Sequence, residues 1–245
     1  MSKTNNPLLP PSNARIQKML AHFGFGSRRE IERWIEDGRI TVDGELAELG
    51  QQVNLRSRIT LDGNLIKLDK LAQRQKSKLL IYHKPTGEVC SRHDPDGRPT
   101  VFDALPRCSH GRWIMVGRLD VNTSGLLLFT NDGEFAHKLM HPSSQVEREY
   151  AVRIMGDVSD AMLQRLKAGV MLEDGPAHFD HIEAKPGGTG KNRWYHVILH
   201  EGRHREVRRL WESQGVTVSR LIRVRFGEYE LPHSLPRGRY CYIDV

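Results

Sequence analysis

Between two short apolar runs, Trp113–Val116 and Leu126–Phe129, the chain places a polar stretch, Gly117-Arg118-Leu119-Asp120-Val121-Asn122-Thr123-Ser124-Gly125, that carries one carboxylate. Runs that are apolar without interruption read as buried strands, so the polar stretch is a loop held at both ends by a sheet. Loops anchored in this way offer side chains to ligands from a rigid scaffold. An Asp between strands is also a common turn former that bonds its own backbone, and on composition that reading of Asp120 is the commoner one.

The rest of the chain supplies an α+β scaffold in two parts. Residues 1–13 are polar with Pro10 and Pro11, lack the basic start and apolar run of a signal peptide, and read as a flexible tail. Ile16, Met19, Leu20 and Phe23 fall at helical spacing. Gly24 and Gly26 end that helix, and Ser27-Arg28-Arg29-Glu30 reads as a capping box opening a second one with Ile31, Trp34 and Ile35 on its apolar face. Strands follow at 39–42, 59–61 and 65–68, with turns at Asp43-Gly44 and Asp62-Gly63. The Lys-, Arg- and Gln-rich segment 71–78 reads as a linker between a unit at 14–70 and one at 79–245.

In the second unit Leu79–Tyr82 reads as a buried strand, His83-Lys84-Pro85-Thr86-Gly87 as a turn, and 91–100 as an extended loop. Helices are expected at 134–140, 160–168 and 203–213, and strands at 149–155, 178–184, 194–200 and 216–226. Alternating apolar patterns favour a largely antiparallel sheet.

A net charge of +7 and a pI near 9.4 point to an anionic partner, of which nucleic acid is the commonest. Cys90, Cys108 and Cys241 are far apart and form no CxxC pair, so neither a disulfide framework nor a cysteine zinc site is indicated, which fits the cytoplasm. No apolar run approaches the roughly 20 residues of a membrane-spanning helix. The glycine-rich segment 187–192 lacks the first Gly and the final Ser or Thr of a phosphate loop, and reads as an ordinary connection. His196 and His200 share a strand face without a third ligand, so no metal site is expected.

The run GRLDVNTSGLLLFTNDG, flanked by YHKPTGEVCSRHDPDGRPTVFDALP, HPSSQVEREYAVRIMG and EGRHREVRRLWE, resembles the ribosomal RNA pseudouridine synthases of the RsuA/RluB/RluE/RluF family. The likeness covers nearly the whole chain, and DPDGRPTVFDALP and LWESQGVTVSRLIRVRFG are most similar to members that modify the large ribosomal RNA. The resemblance implies a monomeric enzyme without cofactor or metal that converts a uridine in a stem-loop of 23S rRNA to pseudouridine. It makes Asp120 the catalytic carboxylate, Tyr150 of EREYAV the active-site aromatic, and Arg208 the basic partner of Asp120, the preference for Arg208 over Arg209 resting on the match of EVR alone. Arg118, Asn122, Thr123, Arg203 and Arg205 are the RNA contacts expected around them. The run FGFGSRREIERWIEDGRITVDGE is similar to the S4-type RNA-binding module, which implies that Arg15, Lys18, Arg28, Arg29 and Arg39 meet phosphates. A non-catalytic rRNA-binding or ribosome-assembly protein on the same fold, and a sister enzyme for another uridine, are the alternatives.

Overall fold

The computed structural model describes residues 13–74, 76–109, 111–186 and 192–243. The proposed tail at 1–12 and most of the glycine-rich connection, 187–191, lie outside the described residues.

The N-terminal unit begins with two helices, Ile16–His22 and Arg28–Glu36, joined at the Gly24 turn. The capping box forms: the Glu30 N–H donates to the Ser27 hydroxyl at 3.1 Å, and the Ser27 N–H donates to the Glu30 carboxylate at 3.2 Å. Ile16, Met19, Leu20 and Ile31 face a four-stranded antiparallel sheet, whose order is Glu45–Leu46, Ile40–Val42, Ile59–Leu61 and Asn64–Ile66, through Ile40, Ile59 and Ile66. The segment read as a linker starts inside a third helix, Leu68–Arg74. Its Lys, Gln and Arg residues are good helix formers, so a polar composition did not prevent regular structure.

The larger unit is built on a nine-stranded sheet whose main order is His181–Lys185, Asn192–Leu199, Arg148–Met155, Thr217–Phe226, Ser124–Thr130, Leu79–Lys84 and Tyr240–Ile243. All its described pairings are antiparallel except that of Ser124–Thr130 with Thr217–Phe226. Ser124–Thr130 is buried along its whole length because the sheet is covered on both faces there. Leu127 and Phe129 join the core under Tyr82, Tyr150 and Trp211, while Leu126 and Leu128 join a second cluster with Ile81, Val116 and Phe226. At the parallel pairing Gly125 lies opposite Arg223 with φ +111°, and a Cβ there would come within 2.2 Å of the Arg223 carbonyl oxygen. Only glycine lets the loop after Asp120 enter the sheet at this point.

Helix Asp160–Ala168 matches its expected bounds. Helix Glu206–Glu212 starts three residues later than expected, because Arg205 is left-handed (φ 51°) and the Glu206 carboxylate accepts from the Arg203 N–H and Nε at 3.1 Å each, folding 203–205 back on the helix start. His83 and Lys84 belong to the strand Leu79–Lys84 and not to a turn. The hairpin Val170–Leu172/Gly175–Ala177 and the edge strand Tyr240–Ile243 have no counterpart in the sequence reading.

The two units touch at Gly24 and Gly111, where a Cβ on Gly24 would come within 2.4 Å of the Gly111 Cα, and through an ion pair from Lys18 to Glu134. The ion pair holds the Glu134 carboxyl below its usual range. Both partners are largely exposed, so Lys18→Ala is expected to lower stability by no more than about 1 kcal/mol, read as the shift in a denaturant midpoint.

Candidate active site

The loop that carries Asp120 is fixed by its own carbonyls. The Asp120 oxygen accepts from the Thr123 N–H at 3.0 Å and from Lys84 Nζ at 3.2 Å. The Val121 oxygen accepts from the Gly87 N–H at 2.8 Å, the Asn122 oxygen from Arg208 Nη2 at 2.9 Å, and the Thr123 oxygen from Lys84 Nζ at 3.0 Å. Four consecutive carbonyls are thus held by three separate parts of the chain. Lys84 is fully buried, and burial pushes its pKa down while Asp120 is among the groups that pull it back. Among the described residues no hydrogen bond or ion pair falls on the Asp120 carboxylate.

Asp120 lines a cleft of ≈ 1020 Å³ together with Arg118, Tyr150, Arg203, Arg205 and Arg223. Tyr150 comes from strand Arg148–Met155, whose register sets it opposite Arg223 on one side and Val197 on the other, and it is 8% exposed. Cys90 closes one wall, with its sulfur accepting from the Leu119 N–H at 3.3 Å, and burial pushes its thiol pKa up.

Arg208 sits behind the loop, outside the cleft lining, and donates to the Asn122 and Val218 carbonyls at 2.9 Å each. Burial, then repulsion from Arg205, lower its pKa, and the Asp120 charge opposes both. Its geometry therefore differs from the direct carboxylate partner expected from the sequence: Arg208 grips the backbone of the Asp120 loop and acts on the carboxylate through space. Arg209, one residue on, turns outward to a two-pronged pair with Asp174 at 2.8 Å for each contact. The structure separates two arginines that the sequence left adjacent.

Other expected RNA contacts divide. Arg118 is exposed in the cleft, and Asn122 is exposed beside it. Thr123 is 2% exposed, and its hydroxyl is buried without a hydrogen-bond partner. Arg203 is surrounded by Glu201, Glu206 and Asp174, and burial raises the Glu206 carboxyl pKa against the pull of Arg203. Arg205 approaches Glu212 at 3.6 Å. On the N-terminal unit Arg15, Arg28 and Arg29 are exposed, whereas Lys18 pairs with Glu134 and Arg39 makes a bidentate pair with Asp62 at 2.8 and 2.6 Å. Lys84, Arg148 and Arg223 were not singled out from the sequence. The available signals were a lysine ending a wholly apolar strand and, for Arg223, a position in step with the inward-facing Leu221. Among the described residues no group of three or more His, Cys, Asp or Glu is placed to hold a metal ion, and no helix is long and apolar enough to cross a membrane.

Residues 14–59 match the family model described as S4 domain, and residues 78–213, which contain Asp120, Tyr150 and Arg208, match the model described as RNA pseudouridylate synthase. The chain is 57% identical over 239 residues to ribosomal large subunit pseudouridine synthase B of Pseudomonas aeruginosa, covering 98% of this chain and 61% of that protein. It is 58% identical to proteins of the same name from Pasteurella multocida and Escherichia coli, covering 98% and 94% of this chain and 69% and 79% of theirs. A crystal structure of a pseudouridylate synthase superposes with a TM-score of 0.63 at 25% identity, covering 94% of this chain and 96% of the other. A carboxylate loop locked into a buried sheet, a cleft lined by aromatic and basic side chains, and matches that span both units together show that this chain belongs to the RNA pseudouridylate synthase family.

Proposed function

We propose that the chain isomerises one uridine in a stem-loop of large-subunit, 23S rRNA to pseudouridine, with residues 79–245 as the catalytic unit and 14–70 as an RNA-binding module. The observation that carries this reading is the Asp120 carboxylate, which stands in the cleft unpaired on a loop whose backbone is tied at every carbonyl from 120 to 123. The names of the relatives support the large-subunit substrate.

The reaction breaks the bond from C1′ to uracil N1, turns the base, joins C1′ to C5, moves the C5 hydrogen off as a proton and leaves N1 protonated, with no net change in atoms or electrons. A carboxylate placed by a rigid loop can stabilise positive character at the sugar, act as its nucleophile or accept a proton from it. Asp120 takes this role. Arg208 and Lys84 lend positive charge from behind the loop while holding the backbone, which keeps the carboxylate ionised when RNA excludes water. Tyr150 provides a face on which an extruded uracil stacks, and its hydroxyl can carry a proton.

Tritium release from 23S rRNA labelled at uracil C5 tests the reading, since label leaves only when C5 becomes the glycosidic carbon. Wild type is expected to release label from one fragment of the rRNA. Tight binding without release from any fragment, or from an assembly intermediate, would replace the proposal with a ribosome-assembly role. Tyr150→Phe is expected to bind the same fragment as wild type and to release label about 10²-fold more slowly, as measured in single-turnover assays.

A further inference from the structure

Two cations of the cleft have no task in that scheme. Arg148 opens the strand Arg148–Met155 and Arg223 lies on Thr217–Phe226, and both line the cleft. Their guanidinium carbons stand 5.1 and 5.0 Å from the centre of a single ring, Phe226. Two like charges held in one apolar corner repel each other and lose water at the same time.

Among the described residues no carboxylate pairs with either of them. Arg148 Nη1 donates to the carbonyls of Val146, at 2.7 Å, and His200, and Arg223 Nε donates to the Leu126 carbonyl at 2.8 Å. The neighbouring carboxylates are already engaged, Glu147 and Glu149 by Arg225 and Glu206 by Arg203. Arg223 is 2% exposed, and its Nη2 is buried without a hydrogen-bond partner. A buried ionic donor without an acceptor is costly, and so it marks a place where an acceptor is expected to arrive.

We propose that Arg148 and Arg223 form an anion subsite that binds a phosphodiester of the RNA backbone adjoining the uridine at Asp120. This rests on the reading of the cleft as the place where that uridine is isomerised. A neutral acceptor such as a uracil carbonyl would leave the repulsion between the two guanidiniums in place, whereas a phosphodiester brings a full negative charge and two oxygens that accept from planar N–H forks. The register fixes the location, because Tyr150, on which the base would stack, lies opposite Arg223. The Cα of Gly202 faces Arg148, where a Cβ would come within 3.3 Å of its Nε, so the corner is open enough for an anion only while that position has no side chain.

Ethylation interference tests the proposal, with the full chain and the rRNA fragment that releases tritium. Random treatment with ethylnitrosourea turns single phosphates into neutral triesters, and the molecules that fail to bind reveal which phosphates are needed. With wild type, ethylation of a phosphate adjoining the converted uridine is expected to block binding. With Arg148→Gln that one block is expected to disappear, affinity to fall about tenfold, and the slope of log affinity against log salt to become shallower by about 0.7 to 0.9. Arg223→Lys retains charge without the fork and is expected to weaken the same block while melting as wild type does. If the block persists unchanged in Arg148→Gln, or no phosphate beside the uridine is needed by wild type, the subsite is overturned. Absence of tritium release from every fragment would instead remove the isomerase reading itself.

Discussion

Asp120→Asn is expected to lower tritium release by a factor on the order of 10⁴ while RNA affinity stays within about threefold of wild type. The substitution keeps the shape of the side chain and removes only its charge. None of the contacts that hold the loop involves the carboxylate, since Lys84, Gly87 and Arg208 all grip carbonyl oxygens. Folding is therefore untouched, and the melting temperature is expected to match that of wild type. A variant that retains more than about a tenth of wild-type turnover would show that the carboxylate is not the group that handles the sugar or the base.

Lys84→Met is expected to damage both stability and turnover. The lysine is fully buried, and its ammonium donates to the carbonyls of Pro85, Asp120 and Thr123 at 2.9, 3.2 and 3.0 Å. Methionine fills much the same volume without the charge, so packing along the stem survives while the acceptors lose their donor. Asp120 still receives the Thr123 N–H, which leaves the Pro85 and Thr123 carbonyls as the groups stripped of this partner in a dry setting. Together these losses are worth roughly 2–4 kcal/mol in a denaturant melt. Because the freed carbonyls flank Asp120, kcat is expected to fall about 10²-fold in the fraction that remains folded. Wild-type melting and turnover in this variant would show that the loop is held by the remaining contacts alone.

How far the sequence disclosed this structure depended on how local each cause was. The capping box at Ser27 and Glu30 and the helix Asp160–Ala168 were legible because their donors, acceptors and apolar stripe lie within a few residues of one another. The buried strand at Ser124–Thr130 was legible because a sheet covered on both faces demands an unbroken apolar run. The late start of helix Glu206–Glu212 was not, since Arg205 takes a left-handed conformation that the sequence alone does not mark. The edge strand Tyr240–Ile243 pairs with Leu79–Lys84 across most of the unit, and nothing near it announces the partner. At the site, the family motifs singled out Asp120, Tyr150 and Arg208, and the structure brings all three to one loop and its cleft. Lys84 was hidden because a lysine before proline looks like a surface turn until the sheet is assembled around it.

The way the Asp120 loop is tied has an evolutionary consequence. Val121 and Asn122 are held through carbonyl oxygens, which every amino acid carries, and not through their side chains. The shape of the loop is consequently blind to what is written at those two positions. Their side chains can be exchanged freely to suit a new RNA contour while the neighbouring carboxylate keeps its aim. A lineage built on such a loop is able to change its target by small steps without passing through inactive ancestors.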